Sequence, residues 1–192
     1  LTTLAITSMT LGGWMGLNQT QTRKILAFSS IAHLGWMALV IIYNPKLSLL
    51  AFLLYTVMTT AVFLSLNKIK VLKLSTMLIS WTKTPALNAT LMLTLLSLAG
   101  LPPLTGFSPK WLIIQELTKQ EMTPAATIAA LLSLLSLFFY LRLAYHSTIT
   151  LPPNSSNHMK MWYTHKTPST LAAILTSLSI SLLPLSPVIL TM

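Results

Sequence analysis

Six apolar stretches separated by short connectors leave this chain of 192 residues little choice of solvent or of fold. Residues 25–43 and 47–66 each hold about the 20 residues that an α-helix needs to cross the hydrocarbon of a bilayer. Residues 1–17, 125–145 and 169–190 are comparable, the last carrying Pro184 and Pro187, which end or bend a helix. Residues 86–117 are longer than one crossing requires and are interrupted near 101–108. A segment inside lipid must satisfy its own backbone N–H and C=O groups, so these stretches are helices. Composition points the same way: 54% of residues are hydrophobic and 7% charged, too few polar side chains to cover a water-soluble surface. The expected fold class is all-α. It is a polytopic membrane helix bundle of about six transmembrane helices, one of them discontinuous, in a single membrane domain over 1–192.

The charges are lopsided. Twelve Lys and Arg face two acids, Glu116 and Glu121, for a net charge of +10. The basic residues sit in connectors rather than in an aromatic-interleaved patch, which excludes a nucleic-acid partner and makes the lipid bilayer the expected one. Arg23, Lys24, Lys68, Lys70, Lys73, Lys83, Arg142, Lys160 and Lys166 fall in the first, third and fifth connectors, and Lys46 and Lys119 in the second and fourth. That bias of nine to two places the odd connectors inside and both chain ends outside. The lysines of 67–85 flank Val71, Leu72, Leu74, Met77, Leu78 and Ile79, as in a short interfacial amphipathic helix. Residues 151–168 read as a polar loop.

Gly100, Pro102, Pro103, Gly106 and Pro109 break the fourth stretch at membrane depth. The freed backbone groups there must be received by protein or by a hydrated cavity. Ser108-Pro109 has the form of a helix start, serine capping and proline at the first helical position. Lys110 follows at once, in the first turn of a second half-helix, and its side chain leans back toward the break. The positive end of that half-helix disfavours an ammonium, while the carbonyls that end the first half near Gly100 favour one. A lysine at a short helix end can also snorkel to an interface. Against that, roughly 14 residues, about 21 Å of helix, precede the break. Ionisable residues at such depth mark ion or proton pathways, so Lys110 is the first candidate for a proton relay.

His33 lies about 12 Å into the second crossing by helix rise, with Ser29 and Ser30 one turn earlier on its face. Two readings fit it: part of a proton path from the inner side, or a neutral imidazole that ties helices together. His146 at a helix end, and His158 and His165 in a loop, do not match its depth, so a bis-histidine haem is not expected. The absence of cysteine excludes disulfides, thiolate metal sites and cysteine-ligated iron–sulfur clusters. No metal ligands are expected. Glu116, six residues after Lys110, reads as a solvated helix-end carboxylate, and Thr60, Ser65, Ser97 and Thr105 as mostly interhelical hydrogen-bonding residues.

Two stretches carry a family resemblance. The first is Gly16-Leu17-Asn18-Gln19-Thr20-Gln21-Thr22-Arg23-Lys24, continuing to His33-Leu34-Gly35-Trp36-Met37. The second is Gly100-Leu101-Pro102-Pro103-Leu104-Thr105-Gly106-Phe107-Ser108-Pro109-Lys110-Trp111. Together with their spacing and the closing Leu-Pro-Leu-Ser-Pro, they resemble the subunit 2 family of mitochondrial NADH:ubiquinone oxidoreductase, respiratory complex I, over essentially the whole chain. That family belongs to the antiporter-like membrane-arm subunits, built from two inverted repeats of five helices, each with a discontinuous helix and a mid-membrane charge.

The resemblance implies a multi-pass protein of the mitochondrial inner membrane, part of a multisubunit H⁺-translocating NADH:ubiquinone reductase and not catalytic alone. Other complex I membrane subunits would be its partners. No cofactor would be bound by this chain; NADH, FMN, iron–sulfur clusters and ubiquinone would be used elsewhere in the complex. Lys110 matches the terminal lysine of the family's buried charge axis, and His33 a polar position on the inner half-channel. It also implies that the first repeat, with a glutamate and two lysines, lies upstream of Leu1, and that this chain is a C-terminal fragment. The competing expectations are a structural membrane subunit with Lys110 permanently charge-paired, and an independent cation/proton antiporter. The latter is weakened by the lack of an acid within the spans.

Overall fold

The computed structural model describes residues 1–69, 73–77, 85–148 and 170–181. Among these the regular elements are helices: α1 (Thr2–Gly16), α2 (Thr22–Val40), α3 (Pro45–Ile69), α4 (Pro85–Ala99), α5 (Phe107–Lys119), α6 (Thr123–Thr148) and α7 (Thr170–Ser181). The expected loop at 151–168, with His158 and His165, lies outside the described residues. So does most of the expected interfacial helix, of which 74–77 form one helical turn.

Local chemistry explains where the helices begin and end. α2 starts three residues before the expected Ile25, because Arg23 and Lys24 sit exposed on its first turn, where an apolar count cannot see them. It stops at Val40, short of Tyr43, because Asn44-Pro45 begins the next helix. Leu47 N–H donates to Asn44 Oδ1 at 3.3 Å, with Pro45 at the first helical position, where no donor is needed. α3, and α6 over Thr123–His146, are long and apolar enough to cross a bilayer, with mean hydropathies of 2.1 and 1.9.

The core falls into two apolar clusters. One gathers Ile25, Leu54, Met58, Leu91, Leu95 and Phe139 from α2, α3, α4 and α6. The other gathers Met9, Trp36, Leu39, Leu47, Ile113 and Ala129 from α1, α2, α3, α5 and α6. Tyr55 packs against both. The bundle's outer faces are apolar as well: Phe52, Phe63, Leu131, Leu134 and Phe138 are all half or more exposed. Apolar surface on this scale fits contact with lipid and not with water.

Three of the four expected interhelical hydroxyls bond within their own helix instead. Ser65 donates to the Val62 carbonyl, Ser97 to that of Thr94, and Thr60 to those of Thr56 and Val57. A hydroxyl one turn from a free carbonyl lone pair needs no partner from another helix. Thr105 alone reaches across, donating to the Ser179 carbonyl on α7.

Candidate functional site

α4 ends in a complete left-handed cap. Gly100 adopts φ +83°, its N–H donates to the Ser97 carbonyl at 3.0 Å, and Leu101 N–H reaches the Leu96 carbonyl at 3.4 Å. Two of the last four carbonyls are thereby satisfied. The Ala99 carbonyl receives Lys110 Nζ at 2.8 Å. Of the two fields that meet at the break, the lysine has therefore turned to the negative end of α4. Gly100 makes room for it, since a Cβ there would stand 2.9 Å from Nζ.

Ser108 is not the cap of the second half-helix. α5 already starts at Phe107, with Gly106 in the cap position, and Ser108 Oγ donates back to the Thr105 carbonyl at 2.9 Å. The start shifts because Gly106 lies against α4: a Cβ there would overlap the Ser97 carbonyl, so the chain turns helical at this closest approach. Pro109 then occupies the third helical position, where an amide would still lack an intrahelical acceptor. Lys110 remains in the first turn, half-buried.

His33 is half-buried on α2, and its partners are tyrosines rather than serines. Tyr140 Oη lies 3.4 Å from His33 Nε2, and the Tyr55 ring packs against the imidazole tilted by 32°, with centroids 4.8 Å apart. Ser29 and Ser30 donate to the carbonyls of Leu26 and Ala27 on their own helix. A small cavity of about 20 Å³, room for about one water, lies between His33, Tyr55, Met58, Gly106 and Lys110. The two candidates from the sequence thus share one site, assembled by α2, α3, α4, α5 and α6.

Helix rise orders these groups along the bundle. Counted from the end of the bundle where α2 begins and α3 and α6 finish, Tyr140 lies eight residues, about 12 Å, along α6; His33 eleven residues, about 16 Å, along α2; and Tyr55 fourteen residues, about 21 Å, along α3. Lys110 is nine residues, about 13 Å, from the C-terminal end of α5, at the opposite end of the bundle. Tyr140 and Tyr55 escaped notice in the sequence because tyrosine in an apolar helix usually marks the membrane interface. Their mid-helix positions were the available signal. Glu116 is paired with Lys119 at 3.6 Å, the one ion pair among the described residues, and stays outside the site.

The sequence family described as "NADH:quinone oxidoreductase/Mrp antiporter, TM" matches residues 1–136, well over half of the chain. The chain belongs to this NADH:quinone oxidoreductase/Mrp antiporter family. A second family, "NADH dehydrogenase subunit 2 C-terminus", matches residues 137–190. NADH-ubiquinone oxidoreductase chain 2 of Sibirionetta formosa is 80% identical over 189 residues, 98% of this chain and 55% of that protein. The protein of the same name from Gallus gallus is 79% identical over 192 residues, 100% of this chain and 56% of its own. The chain spans about half the length of the curated relatives it matches.

Among solved structures, a chain of respiratory complex I from Thermus thermophilus superposes with a TM-score of 0.73 at 26% identity, covering 95% of this chain and 44% of that one. A chain of the Mrp complex from Dietzia, at 17% identity and a TM-score of 0.74, shares the fold, over 98% of this chain and 44% of its own. The architecture is therefore that of the antiporter-like membrane subunits, all-α and membrane-spanning.

Proposed function

We propose that the chain is part of a membrane-arm subunit of mitochondrial NADH:ubiquinone oxidoreductase, in the inner membrane, where it helps move protons coupled to electron transfer. Its partners are the other membrane subunits of that complex. NADH oxidation and ubiquinone reduction take place on those other subunits, and this chain holds no redox centre. The observation that carries the reading is the ladder Tyr140, His33, Tyr55, cavity, Lys110, which leads to a break where a half-buried lysine amine meets a helix C-terminus.

In this reading Tyr140 and His33 deliver a proton from the inner side to the cavity beside Lys110. Lys110 then takes it while bonded to the Ala99 carbonyl and loses it when neighbouring charges change. The ammonium form is favoured at Ala99, because the carbonyl accepts and the dipole end is negative. Removing a positive charge elsewhere along the arm, or adding one, shifts that balance without any redox group nearby.

Tyr140→Phe in the full-length subunit tests the entry side. The ring is fully buried and stays in place, so the complex assembles, while the imidazole loses its hydroxyl partner. Proton-coupled turnover is expected to fall about two- to tenfold, the rate equivalent of the roughly 0.5–1.5 kcal/mol of one neutral hydrogen bond. Wild-type turnover in that variant would remove Tyr140 and His33 from the path.

A second reading draws on the same lysine. The Nζ bond to the Ala99 carbonyl also suits a permanently charged cap that holds the two half-helices together, with a carboxylate from a neighbouring subunit as counter-charge. The two readings part on whether Lys110 must ever lose its proton.

A further inference from the structure

The inner end of the bundle holds a second, larger cavity, of about 330 Å³, lined by Thr20, Lys73, Leu74, Ser75, Arg142 and His146. Its walls are built by backbone pairing rather than by chance proximity. Gln21 and Lys73 form an antiparallel bridge, and Leu74 N–H donates to the Thr20 carbonyl at 3.1 Å, which ties the segment after α3 to the connector before α2. Arg142 closes the third side and is itself held, Nη1 donating to the Leu17 carbonyl at the end of α1 at 2.8 Å. One guanidinium, one ammonium and two hydroxyls thus converge where α1, α2, α3 and α6 end.

This chain offers them no carboxylate. Its only acids are Glu116 and Glu121, at the end of α5 and in the turn before α6, at the other end of the bundle. A pocket with fixed positive charge and hydroxyl donors is a receptor for a phosphate. The apolar stripe of Phe138, Leu141 and Tyr145 runs down α6 beside Arg142 and His146 with 57, 41 and 58% exposure. A ligand seated here would lay an apolar tail along that stripe. We infer that the pocket holds the phosphate of an anionic phospholipid from the inner leaflet, not a soluble phosphate ester.

The test uses the intact complex carrying the full-length subunit, delipidated in detergent and reloaded from phosphatidylcholine vesicles containing phosphatidylglycerol. Retained phosphatidylglycerol is counted by native mass spectrometry. Lys73→Gln, on an exposed side chain whose bridge is made by backbone, is expected to weaken retention at one site about fivefold, with Lys73→Arg restoring it. Lys46→Gln, at the opposite end of α3, is expected to leave retention unchanged. Equal retention in Lys73→Gln and wild type would overturn the assignment. So would an equal loss in Lys46→Gln, which would mean unspecific charge attraction. Full displacement by inorganic phosphate alone would likewise overturn it, in favour of a soluble anion.

Discussion

Lys110→Met in the full-length subunit is expected to cut coupled NADH:ubiquinone turnover about tenfold or more while the complex still assembles. Methionine fills much of the lysine's volume and keeps its flexible stem, so Pro109, Ile113 and the Gly100 turn keep their packing. What disappears is the ammonium on the Ala99 carbonyl. A hydrogen bond from a charged donor contributes about 1.5–3 kcal/mol, and its loss at the last group of a proton path corresponds to about one to two orders of magnitude in rate. The cost to folding is smaller than that figure, because the cap on Ser97 and Leu96 survives. Turnover of the purified, assembled complex is the measurement. A wild-type rate would show that protons do not pass through Lys110.

Gly106→Ala is expected to have the largest structural effect of any single methyl added to the break. The new Cβ would overlap the Ser97 carbonyl, which is backbone in the last turn of α4 and accepts from Gly100 N–H. Neither side can give without opening the cap that presents Ala99 to Lys110. Overpacking costs about 1–3 kcal/mol where side chains can adjust, and the upper end or more applies to a backbone clash. A loss of that size lowers the abundance of a marginally stable protein several-fold. Native-gel quantification of assembled complex should show that drop, and wild-type levels would mean that the half-helices are less closely apposed than described.

The helices, the break and the lysine could be read from the chain because each depends on local chemistry. Apolar length calls a crossing; Gly100, Pro102 and Pro103 end one; a lysine a few residues later is visible in a string of leucines. The cap could not be placed, because Ser108-Pro109 has the composition of a helix start and only the contact of Gly106 with Ser97 makes the helix begin earlier. The partners of His33 were hidden for a related reason. Ser29 and Ser30 are near it in sequence, but their hydroxyls donate to their own helix and pair with Tyr140 and Tyr55, and the ring itself meets those two tyrosines, 107 and 22 residues further along. Tertiary pairing on that scale leaves no local signature. The second, larger pocket is the same case, since its walls come from two connectors and the last turns of α6, which only the fold brings together.

Lys110→Arg separates relay from permanent cap. Arginine keeps the positive charge and the donors that can reach the Ala99 carbonyl, so a fixed ammonium would be replaced with little effect, but a guanidinium does not give up its proton at physiological pH. The decisive measurement is the number of protons moved per electron by the complex carrying this substitution, reconstituted in sealed vesicles. If Lys110 takes up and releases a proton in each cycle, the ratio falls below that of the wild type. A wild-type ratio, with the arginine variant fully assembled and turning over, would contradict the relay and leave Lys110 as a structural cap.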